Sequence, residues 1–203
     1  MPLIFQEEIN STTRLGIWKI EEDEAFFRNK VPVHRQVTHP HKRLQHLAGR
    51  YMLQHLFPGF PYHLIQIADT KRPYIAGDAF HFSISHCGDF AAVIISKTER
   101  VGIDIEIPVE KIIRIRDKFI SPAEKEILNP LSVEEFTQIW SAKEAVFKWY
   151  GLGLVDFKEH IRLISYNDDR SSFACCFTKN NTQLKVHLDQ LSGLCLSYVA
   201  TKK

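Results

Sequence analysis

Between residues 80 and 106 the chain passes through three short segments in which apolar and polar residues alternate. The turns joining them are too short for anything but antiparallel strands. The first, His81-Phe82-Ser83-Ile84-Ser85-His86, turns at Cys87-Gly88-Asp89 into an apolar run over 90–96. That run turns at Thr98-Glu99-Arg100 into Val101-Gly102-Ile103-Asp104-Ile105-Glu106. The pattern predicts a three-stranded meander. In its first strand His81, Ser83 and Ser85 form a polar face opposite Phe82 and Ile84. In its third, a period of two sends Val101, Ile103 and Ile105 to one side and Asp104 and Glu106 to the other, so two carboxylates leave one face of a strand.

Helical spacing brackets these strands. Over residues 40–57 the apolar positions Leu44, Leu47, Ala48, Tyr51 and Leu56 recur at helical intervals, and Phe57-Pro58-Gly59 ends the run. The opposite face holds His41, Lys42, Arg43, His46 and Arg50, a composition that suits either a solvated surface or a polyanion cradle. Residues 111–119 read as a helix, weakened by the β-branched Ile112, Ile113 and Ile115. Ser121-Pro122-Ala123-Glu124 and Ser132-Val133-Glu134-Glu135 have the form of capped helix starts. The second opens a long helix to Tyr150, stopped by Gly151. Its buried stripe places Lys143 at the edge of the apolar face, and Glu144 and Lys148 stand one turn apart. Further strands are expected near 3–5, 15–20 and 64–67, and over 161–165, 173–177, 184–188 and 194–200.

One long helix followed by antiparallel strands therefore occurs over 40–106 and again over 133–200. The expected fold class is α/β of the α+β type, with two similar halves, 1–106 and 107–203, each a long helix packed on a small antiparallel sheet. A ligand cleft is expected between such halves.

Composition narrows the function. A net charge of +2 across 203 residues is too mild to point to nucleic-acid binding. No segment is apolar enough to cross a membrane, and the opening residues MPLIFQEEIN lack a basic region followed by an apolar core, so a cytoplasmic location is expected. Cys87, Cys175, Cys176 and Cys195 show no ligand spacing and read as buried reduced thiols. The histidine-dense stretch of His34, His39, His41 and His46 matches no zinc pattern. Ser85 and His86, adjacent on a strand, point to opposite sides, which discounts a serine hydrolase pair.

Two carboxylates on alternate strand residues, about 7 Å apart along the backbone, suit a Mg²⁺ ion that takes oxygen ligands together with substrate phosphates. Glu144 and Lys148 add a third acid and a cation. Each pair on its own also fits an ordinary solvated strand face or a helix-stabilising Glu–Lys pair.

In combination these segments resemble the Sfp-type 4′-phosphopantetheinyl transferases. That family carries a GxDxE strand, here Gly102-Ile103-Asp104-Ile105-Glu106, and a WSxKExxxK helix, here Trp140-Ser141-Ala142-Lys143-Glu144-Ala145-Val146-Phe147-Lys148. It also has a phenylalanine-containing strand ending in Ser-His, here residues 81–86. The resemblance implies a pseudo-twofold fold, coenzyme A as donor, Mg²⁺ as cofactor and a serine of an apo acyl, peptidyl or aryl carrier protein as acceptor. It further implies that Asp104, Glu106 and Glu144 ligate the metal, that Glu144 directly or through water takes the serine proton, and that Lys148 serves the departing phosphate. Ser85 and His86 correspond to ligands of the CoA 3′-phosphate. Arg72 before Pro73 stands where the family has lysine, and Arg43 and Arg50 become further CoA-binding candidates, which favours the cradle reading of the first long helix.

The 1–106 half would then hold the CoA adenosine and 3′-phosphate, and the 107–203 half the catalytic helix and the carrier protein. Ile112, Ile113, Arg114, Arg116 and Phe119 are the expected carrier contacts. Two halves in one chain suit a monomer. The alternatives are a non-catalytic CoA- or carrier-binding relative and another Mg²⁺-dependent phosphotransferase or hydrolase. The second would be expected to carry a Gly-rich phosphate loop, and none is visible.

Overall fold

The computed structural model describes residues 2–32 and 37–202, so His34 lies outside the described residues. The chain divides into two compact units, residues 1–99 with 202–203, and residues 100–201.

The first unit contains β1 (Leu3–Asn10), β2 (Thr13–Lys19), α1 (Glu24–Arg28), α2 (Pro40–Leu56), β3 (Ile65–Ile67), β4 (Pro73–Ile75), β5 (His81–Cys87) and β6 (Phe90–Ser96). The four longer strands make an antiparallel sheet in the order β1-β2-β6-β5. Helix α2 lays Leu47, Ala48, Met52, Leu53 and Leu56 on this sheet against Phe82, Val93 and Ile95. Strand β5, which carries Ser85 and His86, is the sheet edge. Ser83 and Ser85 are buried along with Phe82, so the face read as polar from the sequence is covered.

Strand β6 has β2 on one side and β5 on the other, which occupies both of its hydrogen-bonding edges. The next strand, β7 (Glu99–Glu106), is therefore not the third member of a meander. It joins the sheet of the second unit, whose order is β7-β11-β10-β9-β8. The other members are β8 (Ile161–Tyr166), β9 (Ser172–Phe177), β10 (Thr182–Leu191) and β11 (Leu194–Lys202), and these four form an antiparallel meander.

Between β7 and β8 the chain forms α3 (Lys111–Ile115), α4 (Pro122–Leu128) and α5 (Val133–Tyr150). Helix α3 is shorter than its apolar content predicts and passes into a 3₁₀ turn over Arg116–Lys118, as the isoleucines at 112, 113 and 115 favour. Both predicted capping boxes form, Ser121 with Glu124 and Ser132 with Glu135. Gly151 ends α5 in the left-handed region at φ 72°. Helix α5 buries Ile139, Ala142, Ala145, Val146 and Trp149 among Ile161, Phe173, Phe177, Val186 and Val199.

Candidate active site

The site of the second unit begins with a glycine. A Cβ on Gly102 would lie 2.1 Å from the Ala145 carbonyl oxygen and 2.5 Å from the Trp149 amide nitrogen. Absence of a side chain there lets the backbone of α5 lie directly on β7. Arg100 secures the same approach. Its Nε donates to the Trp149 carbonyl at 2.8 Å and its Nη2 to the Tyr150 carbonyl, so a cation satisfies two of the open carbonyls at the helix C-terminus.

Strand and helix then exchange two polar contacts. Lys148 Nζ meets Asp104 Oδ1 at 2.6 Å, and Trp140 Nε1 donates to Glu106 Oε1 at 3.1 Å. Glu144 shares the helix face of Trp140 and Lys148, four residues from each. Asp104 is 2% exposed, and Glu106 and Glu144 are half-buried. Burial, followed by the negative charge of Asp104, lifts the Glu106 carboxyl to about 7, against the Trp140 hydrogen bond and the Lys148 charge. Burial and Asp104 likewise lift Glu144 to about 7; Lys148 opposes this and Glu106 adds to it. The structure thus brings Asp104, Glu106, Glu144 and Lys148 into one electrostatic cluster.

A donor set made only of carboxylate oxygens, with Asp104 resisting the ionisation of both glutamates, fits a hard divalent cation in kind. Among the described residues no three His, Cys, Asp or Glu side chains are already posed as a metal cage. Asp104 is held by Lys148 and Glu106 by Trp140.

The remaining sequence-predicted residues lie in the first unit. Ser85 is buried and His86 exposed on β5, while Arg72 is half-buried just before β4, which packs against β5. Arg43 is engaged within its own unit. Its guanidinium holds Glu24 at 2.8 and 2.7 Å and donates to the Val37 and Thr38 carbonyls, and hydrogen bonds from Arg43 and then Arg28 lower the Glu24 carboxyl to about 2. Arg50 is 2% exposed and donates from Nε to His46 Nε2 at 3.1 Å. A phosphate would reach either arginine only after these side chains rearranged. His41 pairs with Asp89 at 2.9 Å, and His39 caps α2.

Several readings are corrected. Ile112 and Phe119, expected to face a carrier protein, are 6% and 0% exposed and belong to the core, because short α3 and the 3₁₀ turn after it need apolar side chains to seat them. Of that set Arg114 is exposed, and Ile113 and Arg116 reach solvent in part. Lys143 is fully buried rather than at an edge. Cys175 and Cys195 are buried free thiols whose ionisation burial pushes up to about 12 and about 11, whereas Cys87 and Cys176 are half-buried.

From the sequence Gly102 and Trp140 stand only as motif residues and Arg100 only as a turn residue, without the contacts they make here. A glycine inside a strand pattern signals close backbone approach, and a tryptophan four residues before Glu144 signals a shared helix face. Arg100 carried no such signal.

Residues 100–201 match the 4′-phosphopantetheinyl transferase superfamily. Enterobactin synthase component D of Escherichia coli K12 is 31% identical over 141 residues, covering 64% of this chain and 68% of that protein. A putative 4′-phosphopantetheinyl transferase of Haemophilus influenzae is 34% identical over 100 residues, 45% of this chain and 42% of its own length. The 4′-phosphopantetheinyl transferase HetI of Nostoc is 28% identical over 135 residues, 59% of this chain and 57% of its own length, so this chain spans less than two thirds of the last two. The match over half the chain includes the strand of Asp104 and Glu106 and the helix of Glu144 and Lys148, and with it the chain belongs to the 4′-phosphopantetheinyl transferase superfamily.

Proposed function

We propose that this protein transfers the 4′-phosphopantetheine group of coenzyme A to a serine hydroxyl of an apo carrier protein, Mg²⁺-dependently, and releases 3′,5′-ADP. The observation that carries the reading is the cluster of Asp104, Glu106, Glu144 and Lys148 where β7 lies against α5. Asp104, Glu106 and Glu144 would hold the metal. When bound, Mg²⁺ neutralises the CoA diphosphate and draws charge from the phosphoryl group under attack.

The serine oxygen forms the new P–O bond as the bond between that phosphorus and the oxygen of 3′,5′-ADP breaks. Glu144, a half-buried carboxyl on the helix face one turn from Lys148, accepts the serine proton directly or through water. Lys148 sits one turn away with its ammonium against Asp104, and supplies positive charge and a proton for the leaving phosphate.

Ser85 and His86, with Arg72, are assigned to the CoA 3′-phosphate, and the exposed Arg114 with Arg116 to the acidic surface of the carrier. The free cysteines accord with action in a reducing cytoplasm. Among the described residues no helix is long and apolar enough to cross a membrane.

The test is incubation with coenzyme A, Mg²⁺ and apo carrier proteins of the fatty-acid, polyketide and peptide types, followed by mass spectrometry of the carrier. Gain of one phosphopantetheine is expected, and no gain on any carrier refutes the reading. Glu144→Gln is expected to lower kcat by about 10²–10⁴-fold in a protein that remains folded.

A further inference from the structure

Lys143 immediately precedes Glu144, yet it points the other way, into the core. It is 0% exposed and its ammonium meets three acceptors: Glu124 Oε1 at 2.6 Å, the Phe157 carbonyl at 2.8 Å and the Ile161 carbonyl at 2.7 Å. These match the three donors of an ammonium. Glu124, 3% exposed, is equally satisfied. Its Oε1 also accepts from the Leu163 amide, and its Oε2 from the Ser121 amide in the capping box of α4. One buried ion pair thus ties together α5, the start of α4, β8 and the segment leading into β8.

That segment carries Phe157, whose ring lies across two residues of α5. Its centroid is 5.4 Å from that of Trp140 and 5.7 Å from that of Phe147, and Phe119 closes on Trp140 at 5.1 Å. Trp140 and Phe147 stand four residues before and three after Glu144, so they flank it on its helix face. Trp140 in turn donates its indole N–H to Glu106.

We propose that Lys143 and Glu124 are positioning residues. By gripping the Phe157 carbonyl they press the Phe157 ring against Trp140 and Phe147, as a wall that sets the direction of the Trp140 indole toward Glu106 and limits where the Glu144 side chain can lie. Lys143 thereby acts through Phe157 on the acid cluster and touches no substrate. The kinetic part of this inference rests on the transferase reading; the geometric part does not.

The test uses three variants of the full chain: Phe157→Ala, Phe157→Tyr, and the double variant Lys143→Met with Glu124→Gln. The double variant leaves no unpaired buried charge, and the glutamine keeps one acceptor oxygen for the Leu163 or the Ser121 amide, its amino group being a donor. In ¹⁵N-labelled protein the indole signals of Trp18, Trp140 and Trp149 are compared, that of Trp140 being assigned through Trp140→Phe. The Trp140 indole proton is expected to shift and to exchange faster with solvent in Phe157→Ala and in the double variant, while those of Trp18 and Trp149 hold their positions. Turnover with coenzyme A and an apo carrier should fall by roughly ten- to a hundredfold in kcat with KM for coenzyme A unchanged, and Phe157→Tyr should restore it.

Adding Phe157→Ala to the double variant should cost little more, since both act on one contact. An unaltered Trp140 indole in folded Phe157→Ala and in the folded double variant overturns the proposal. So does a kcat loss that Phe157→Tyr leaves in place. A wild-type protein that transfers nothing refutes the transferase reading, and the indole measurement still decides on the wall.

Discussion

Replacing Gly102 by alanine tests whether the contact between β7 and α5 is what assembles the site. The added Cβ would stand 2.1 Å from the Ala145 oxygen, 2.5 Å from the Trp149 nitrogen and 2.8 Å from Trp149 Cβ, where ordinary contact begins at 3.4 Å. Two of these atoms are helix backbone and cannot rotate away. Relief of the closest contact requires strand and helix to part by about 1.3 Å, the difference between 3.4 and 2.1 Å.

Overpacking of this kind costs about 1–3 kcal/mol. At roughly 2–4 °C per kcal/mol for a chain of this length, a cost of about 2 kcal/mol lowers Tm by about 4–8 °C. The same displacement, added to the 2.6 Å contact of Lys148 with Asp104, takes it beyond hydrogen-bond reach. A misplacement near 1 Å lowers turnover by about 10²-fold. Thermal unfolding and carrier mass gain are measured on the same preparation. The reasoning fails if Gly102→Ala keeps both the wild-type Tm and the wild-type rate, and it also fails if stability drops while the folded fraction turns over normally.

Acid–base behaviour gives a second prediction. Carboxyls whose folded-state value is raised bind protons more tightly folded than unfolded, so Glu106 and Glu144 make the metal-free protein lose stability as pH rises from about 4.5 to about 7. Millimolar Mg²⁺ should raise Tm more at pH 8 than at pH 6, and Glu106→Gln with Glu144→Gln should flatten both trends; a Tm equally independent of pH and Mg²⁺ in the wild type would contradict this. Ser85→Ala with His86→Ala should raise KM for coenzyme A several-fold while leaving kcat within about twofold, in keeping with contacts made equally in ground and transition states. Arg114→Glu with Arg116→Glu should raise KM for the carrier and weaken its salt dependence; identical carrier kinetics at low salt would remove these arginines from the docking surface.

Local chemistry made most elements legible. The capping boxes at Ser121 and Ser132, the glycine stop at 151 and the alternation of 101–106 are interactions among residues within four positions of each other, so their pattern is visible in one dimension. The same holds for the pairing of Asp104 with Glu106 on a strand and of Glu144 with Lys148 on a helix.

What tertiary structure alone decided depends on partners distant in the chain. Strand β7 left the expected meander because β2, which lies 71–83 residues before its partners in β6, occupies the second edge of that strand. Lys143 became a core residue because Glu124 and two carbonyls surround its charge, a compensation no helical wheel displays. Ile112 and Phe119 turned inward because a five-residue helix and the 3₁₀ turn that follows it have few other side chains to seat them. The four charged groups themselves were named by the sequence, but their common environment was not. It arises where Gly102 admits the backbone of α5, because desolvation and Coulomb interaction act through space between segments about forty residues apart.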